Sequence, residues 1–133
     1  MTRYLLDTNH LSPLVTTGHP IRQMVLERMA AGDDFAIPTP VLSEFLFGIG
    51  LLPRGRENQA VWAELAGEFG YYTVDRQDAA AAAELRLHLR RSGRQLALVD
   101  ALVAALALRH DLTLLTTDAN FAAVPTLHRQ NWR

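Results

Sequence analysis

Arg3-Tyr-Leu-Leu-Asp-Thr-Asn9 is the stretch on which the fold turns. Its apolar run, Tyr4 to Leu6, stops abruptly at Asp7, which predicts a buried strand ending in a carboxylate. Open α/β proteins bind ligands beyond the carboxyl ends of their strands, so such an acid stands where a site belongs. Thr8 and Asn9 then offer hydrogen-bonding side chains at the turn into a helix. Asp also ends strands and caps helices for purely structural reasons. Asp7 gains functional weight only together with Glu44, Asp100 and Asp118 further along the chain.

Working outward, residues 9–15 read as a short helix broken by Gly18 and Pro20. Ile21, Met24, Val25, Arg28 and Met29 follow helical spacing, and Gly32 supplies a stop. Phe35 to Ile37 is a short strand closed by Pro38. Thr39-Pro40 predicts a helix start, with Thr39 as the cap and Pro40 in the first turn. That helix, through Val41, Leu42, Phe45, Leu46 and Ile49, places Glu44 among residues expected to be buried. A buried carboxylate must be paired, neutralised or bound to metal; the competing reading puts Glu44 on a narrow solvent face.

A helix over 57–69 follows, then a β-like segment at 71–74 and a turn and cap at Asp75–Asp78. The alanine-rich helix 79–91 is expected to pack Leu85, Leu89 and its alanines inward and to stop at Ser92-Gly93. Asp100 opens a helix over 101–109 that is apolar almost all round and therefore central. Residues 112–116 read as a buried strand leading to Asp118, and 125–128 as a last edge strand. Strands alternate with helices throughout. This predicts a three-layer α/β/α sandwich with a mostly parallel central sheet, formed by a single domain over 1–133.

Composition sets further bounds. With 49% hydrophobic residues, the chain can bury a real core. It has no cysteine, which excludes disulfides, thiolate metal sites and a cysteine nucleophile. Nothing resembles a signal peptide or a membrane span, so a soluble, cytoplasmic protein is expected. A net charge of −1 does not announce nucleic-acid binding. All 13 basic residues are Arg. Arg suits phosphate recognition, but exclusive use of it also follows from genome composition.

In a parallel sheet, strands ending at Asp7 and before Asp118 bring both acids to one edge, and helices can deliver Glu44 and Asp100 there. Four carboxylates in one cleft repel each other unless cations or protons neutralise them. Oxygen ligands with open positions suit Mg2+ or Mn2+, which can support phosphodiester cleavage. Other Asp-centred chemistries fit less well. A haloacid-dehalogenase-type phosphatase needs a second acid at position 9, which is Asn; a receiver domain needs a Lys, which this chain lacks; a nucleotide fold needs a glycine-rich turn after the first strand.

Leu5-Leu-Asp7-Thr-Asn9, Pro40-Val-Leu-Ser-Glu44, Asp100-Ala-Leu-Val-Ala-Ala105 and Thr116-Thr-Asp118-Ala-Asn-Phe121 occur in that order. The set resembles the PIN-domain ribonucleases, above all the VapC toxins of bacterial toxin–antitoxin pairs, over nearly the whole chain. The resemblance implies an endoribonuclease that holds Mg2+ or Mn2+ through Asp7, Glu44, Asp100 and Asp118. It also implies a cognate antitoxin as partner. Asn9 matches the family's Asn after the first acid, and Thr8 and Thr117 supply hydroxyls around the ligands. The alternative is a non-catalytic PIN-like module that binds RNA or scaffolds an assembly.

Other features stay open between two readings. Phe45, Leu46, Phe47, Leu51 and Leu52 either pack as core or form a groove for an antitoxin helix and a homodimer contact. Arg86, Arg90, Arg91 and Arg94 either form a solvated face or track an RNA backbone. His10 reads as a capping or surface residue, and the histidines show no zinc spacing.

Overall fold

The computed structural model describes residues 1–133. Strand β1 (Arg3–Leu6) is buried at Tyr4, Leu5 and Leu6, on both faces, as expected of a central strand in a parallel sheet. It pairs in parallel with β2 (Asp34–Pro38) on one side and β4 (Thr113–Leu115) on the other. Outside these lie β3 (Gly70–Tyr72) and β5 (Arg129–Gln130), giving the order β3-β2-β1-β4-β5 with every pairing parallel. Successive strands run from β1 to β3 in one direction, and β4 then returns to the other side of β1. The topological switch point, where a crevice opens at the strand ends, therefore lies between β1 and β4.

Helices cover the sheet as an α/β/α sandwich: α1 (Thr8–Leu11), α2 (Pro20–Ala30), α3 (Thr39–Leu51), α4 (Gly55–Leu65), α5 (Arg76–Arg91) and α6 (Leu98–His110). One cluster of 31 buried hydrophobic residues runs through all layers. Helix α6 is buried at Ala101 and from Val103 to Ala107, which matches its expected central place. It is locked to α5 by Arg109, whose guanidinium reaches Asp75 at 2.9 Å and the buried Asp78 at 3.1 Å. The same two acids form a capping box at the start of α5. Hydrogen bonding from Arg109 is the main reason the Asp75 carboxyl is held down at about 2. No helix is long and apolar enough to cross a membrane.

Several boundaries differ from the sequence reading, each for a local reason. The first helix begins at Thr8 and tightens to a 3-10 turn from Ser12, where Pro13 brings no backbone N–H. Pro38 still pairs with Tyr72 in the sheet, so it is the cap of α3, and Thr39 is already helical and caps nothing. Helix α4 ends at Leu65 and continues as a 3-10 turn. Of Ala79 to Ala83 only Ala82 is buried, because a single narrow stripe of α5, through Asp78, Ala82, Leu85 and Leu89, faces inward. The last strand is Arg129–Gln130 rather than 125–128, because Thr126 sits at φ +62° in a left-handed turn.

The α3–α4 hairpin, which carries Glu44, turns at Gly55. A Cβ there would lie 3.0 Å from the Ile49 carbonyl oxygen and 3.1 Å from that of Gly50. Both are backbone atoms that cannot rotate away. Gly55→Ala is therefore expected to destabilise the fold by about 1–3 kcal/mol, despite the better helix propensity of Ala. Urea unfolding measures this; an unchanged midpoint would show that the hairpin yields at no cost.

Candidate active site

Asp7 follows β1 directly and extends its pairing: the Asp7 N–H donates to the Leu115 carbonyl at 3.0 Å. It also starts α1, where its Oδ1 accepts from the Thr8 N–H at 2.9 Å. The side chain is buried at 8% exposure, so its charge must be satisfied locally. Oδ2 accepts from the Thr116 hydroxyl at 2.7 Å and from the Asn9 amide at 3.2 Å. Thr116 lies one residue beyond the Leu6–Leu115 register pair, beside Asp7 across the switch point. Its hydroxyl also accepts the Asp118 N–H at 3.0 Å, tying the first acid to the backbone of the last.

Asn9 is held just as closely. Its Oδ1 accepts the Thr117 N–H at 3.0 Å and lies 2.8 Å from His10 Nδ1. His10 Nε2 accepts the Trp132 N–H at 2.9 Å. That bond requires a lone pair on Nε2, so the proton is assigned to Nδ1 and the ring is neutral. Burial, reinforced by the nearby Arg133 charge, pushes His10 down to about 4. Arg133 in turn donates to the Asn9 carbonyl at 3.1 Å. Trp132 packs edge-on against Tyr4 and Phe35, at 5.0 and 5.9 Å between ring centres.

The remaining acids come from three other elements. Asp100 lies in the first turn of α6 and is half-buried. Asp118, also half-buried, caps the 3-10 turn Ala119–Ala123 by accepting the Asn120 N–H at 2.9 Å. Glu44 projects from α3, with its Oε2 at 3.5 Å from the Thr8 hydroxyl. Asp100 is raised to about 6, first by burial and then by the charges of Asp7, Asp118 and Glu44. No three of these groups stand close enough together to enclose an ion by themselves. The donor set still fits a hard divalent cation such as Mg2+, which takes oxygen ligands and keeps several waters rather than needing a complete protein cage. His10 is no ligand, since both its ring nitrogens are engaged.

Four expectations need correction. Glu44 is exposed rather than buried, because α3 turns only Val41, Phe45 and Ile49 fully inward. Asp100 stands three residues into its helix, which begins at Leu98. Thr117 is exposed and contributes its backbone N–H, while the hydroxyl on Asp7 belongs to Thr116. His10 is fully buried, which its two satisfied nitrogens permit. Sequence reasoning missed Thr116 and Trp132 altogether. The strand register would have found Thr116; nothing local signals a partner for His10 that lies 122 residues away.

The fold and site together define a parallel α/β/α protein with an acidic centre at the switch point of its sheet. The chain belongs to the PIN domain family, whose model matches residues 4–127. It is 29% identical to Toxin FitB of Neisseria gonorrhoeae, covering 90% of this chain and 91% of that protein. VapBC2 of Rickettsia felis, solved with a fragment of promoter DNA, superposes with a TM-score of 0.86 at 24% identity over 99% of this chain and 100% of that one. VapC20 of Mycobacterium tuberculosis, described as a toxin that cleaves the sarcin–ricin loop, superposes at 0.65 and 19% identity over 92% and 95% of the two chains.

Two titrations oppose each other here. Asp100 binds its proton more tightly folded than unfolded, so its contribution to stability grows as pH falls from about 6 towards 4. His10 binds its proton less tightly folded, so its contribution is lost as pH falls from 6.5 to about 4. Asp100→Asn removes only the first. In EDTA at pH 7 the variant is expected to match the wild type or exceed it by about 1 kcal/mol, after discounting for solvent screening. Between pH 6.5 and 4 its melting temperature is expected to fall more steeply than that of the wild type. Parallel pH profiles would show that Asp100 is raised neither by burial nor by its acidic neighbours.

Proposed function

We propose that this chain is a Mg2+- or Mn2+-dependent endoribonuclease and the toxin of a toxin–antitoxin pair. The observation that carries the reading is the fixed Asp7 carboxylate at the switch point, tied through Thr116 to Asp118, with Asp100 raised first by burial and then by the charges of Asp7, Asp118 and Glu44. Such charges are worth assembling only where a cation offsets them. Asp7, Glu44, Asp100 and Asp118 would hold the ion, which when bound supplies Lewis acidity and a counter-charge for displacement at a phosphorus centre. Thr116 and Asn9 fix the Asp7 carboxylate, and the neutral His10 fixes Asn9. The family membership and the RNA-cleaving VapC20 support the nuclease activity, and the likeness to Toxin FitB supports the toxin role.

Cleavage of single-stranded or structured RNA is expected in Mn2+ and is expected to vanish in EDTA. Asp7→Asn and Asp100→Asn are expected to lose activity by orders of magnitude. Thr116→Val, which leaves the ligands intact, is expected to weaken Mn2+ affinity about 10–100-fold. Cleavage at full rate in EDTA would overturn the metal mechanism. The open spacing of the acids favours one other reading, a non-catalytic module that binds RNA or scaffolds an assembly. Calorimetry showing no Mn2+ binding to the wild type would select it.

The partner surface follows from α3. Phe45 is buried against Trp62, at 5.1 Å between ring centres, and so belongs to the core. Leu46, Phe47, Leu51 and Leu52 are exposed, Phe47 at 71% and Leu51 at 70%. An apolar patch of this kind suits an amphipathic helix from an antitoxin, and it can also bring two copies of the chain together as a homodimer. VapBC proteins, named as toxin–antitoxin systems, are among the similar structures. Phe47→Asp is expected to abolish binding of a cognate antitoxin and, in light scattering, to shift dimer to monomer. If both assemblies survive, the interface lies elsewhere.

A further inference from the structure

A cleft of about 770 Å³ opens on the α5–α6 side of the molecule. Arg86, Arg90 and Arg94 line it, together with Gln95, Ala97 and Asn120, and no acidic residue does. Its two ends mark its position. Asn120 donates its backbone N–H to Asp118. Ala97 is the cap of α6, three residues before Asp100. The cleft therefore begins where the acidic centre stops.

The three arginines are not spent on the fold. The ion pairs of this protein use Arg28, Arg54 and Arg109, and none of the cleft arginines has a carboxylate partner. Arg86 donates only through Nε, to the Leu96 carbonyl at 3.2 Å, which anchors its stem. Arg86 and Arg90 are four residues apart on α5, so they stand side by side on one face of the helix. Arg94 follows just after the helix end. Three uncompensated guanidinium forks in a row, in a protein of net charge −1, form a local track for a regularly charged anion.

We propose that this cleft holds the sugar–phosphate backbone of the RNA strand next to the bond being cut, with Arg90 and Arg94 as phosphate-positioning residues. The proposal rests on the endoribonuclease reading for the identity of the strand. An acidic peptide would also gain from the arginines. Its carboxylates, however, would continue into the repulsion of Asp118 and Asp100, where a phosphodiester backbone is the group the centre acts on.

The test uses the full chain carrying Asp100→Asn, in EDTA, with fluorescence anisotropy of a short labelled single-stranded RNA. Adding Arg90→Gln and Arg94→Gln is expected to weaken binding about tenfold and to reduce the slope of log K against log salt by about 1.4, or about 0.7 for each phosphate no longer neutralised. Either single change is expected to remove about half of that slope. Arg91→Gln removes the same charge from the same helix outside the cleft and is expected to have little effect. Melting temperature checks that each variant folds.

Unchanged RNA affinity and salt slope in the double variant would overturn the proposal. So would an equal loss in Arg91→Gln, which would assign the effect to the charge of the whole face. Loss of poly-glutamate binding with RNA binding intact would assign the cleft to an acidic peptide. Cleavage by the wild type in Mn2+ is read separately. If it fails while arginine-dependent RNA binding stands, the nuclease reading falls and the cleft remains an RNA site.

Discussion

The site depends on one constraint: Asp7 is a carboxylate at a nearly closed position, and its charge has to be met by neighbours that cannot move. The sheet meets it. Pairing of β1 with β4 puts Thr116 beside Asp7, and the turn into α1 aims the Thr8 N–H and the Asn9 amide at the same group. A buried anion without such donors would cost several kcal/mol. With them, it becomes a rigid post at the switch point of the sheet, against which the other acids are set.

From that post the hydrogen bonds spread in two directions. Through Thr116 they reach the Asp118 backbone, which fixes the start of the following turn. Through Asn9 and His10 they reach Trp132, whose ring closes over Tyr4 and Phe35 at the start of β1 and β2. No buried side-chain polar atom is left without a partner. The network is therefore complete on the protein side, and what remains unbalanced is charge. Asp100 carries that imbalance, because it is half-buried and faces three other acids. Glu44 is the exposed member, free to adjust from α3.

Electrostatic asymmetry also organises the surface. Acids gather at the switch point, and unpaired arginines line the cleft next to it. The net charge of −1 conceals both. Exposed Leu46, Phe47 and Leu51 lie on α3 with Glu44, and exposed Leu52 caps its C-terminal end.

By itself the sequence determined the strand–helix alternation, the buried Tyr4–Leu6 strand with an acid at its end, a cap at Asp75–Asp78, and the central place of α6. These are local matters: periodicity and capping act within a turn or two of the residue concerned. The order of the four acidic motifs was equally legible. Tertiary structure alone decided the strand order, the choice of Thr116 over Thr117 as the hydroxyl on Asp7, the exposure of Glu44 and the tautomer of His10. Hydrophobic spacing says that a face is buried but not against what. The Thr116–Asp7 and Trp132–His10 bonds join residues 109 and 122 positions apart, so only strand register and the packing of the last residues could bring those groups within hydrogen-bonding reach.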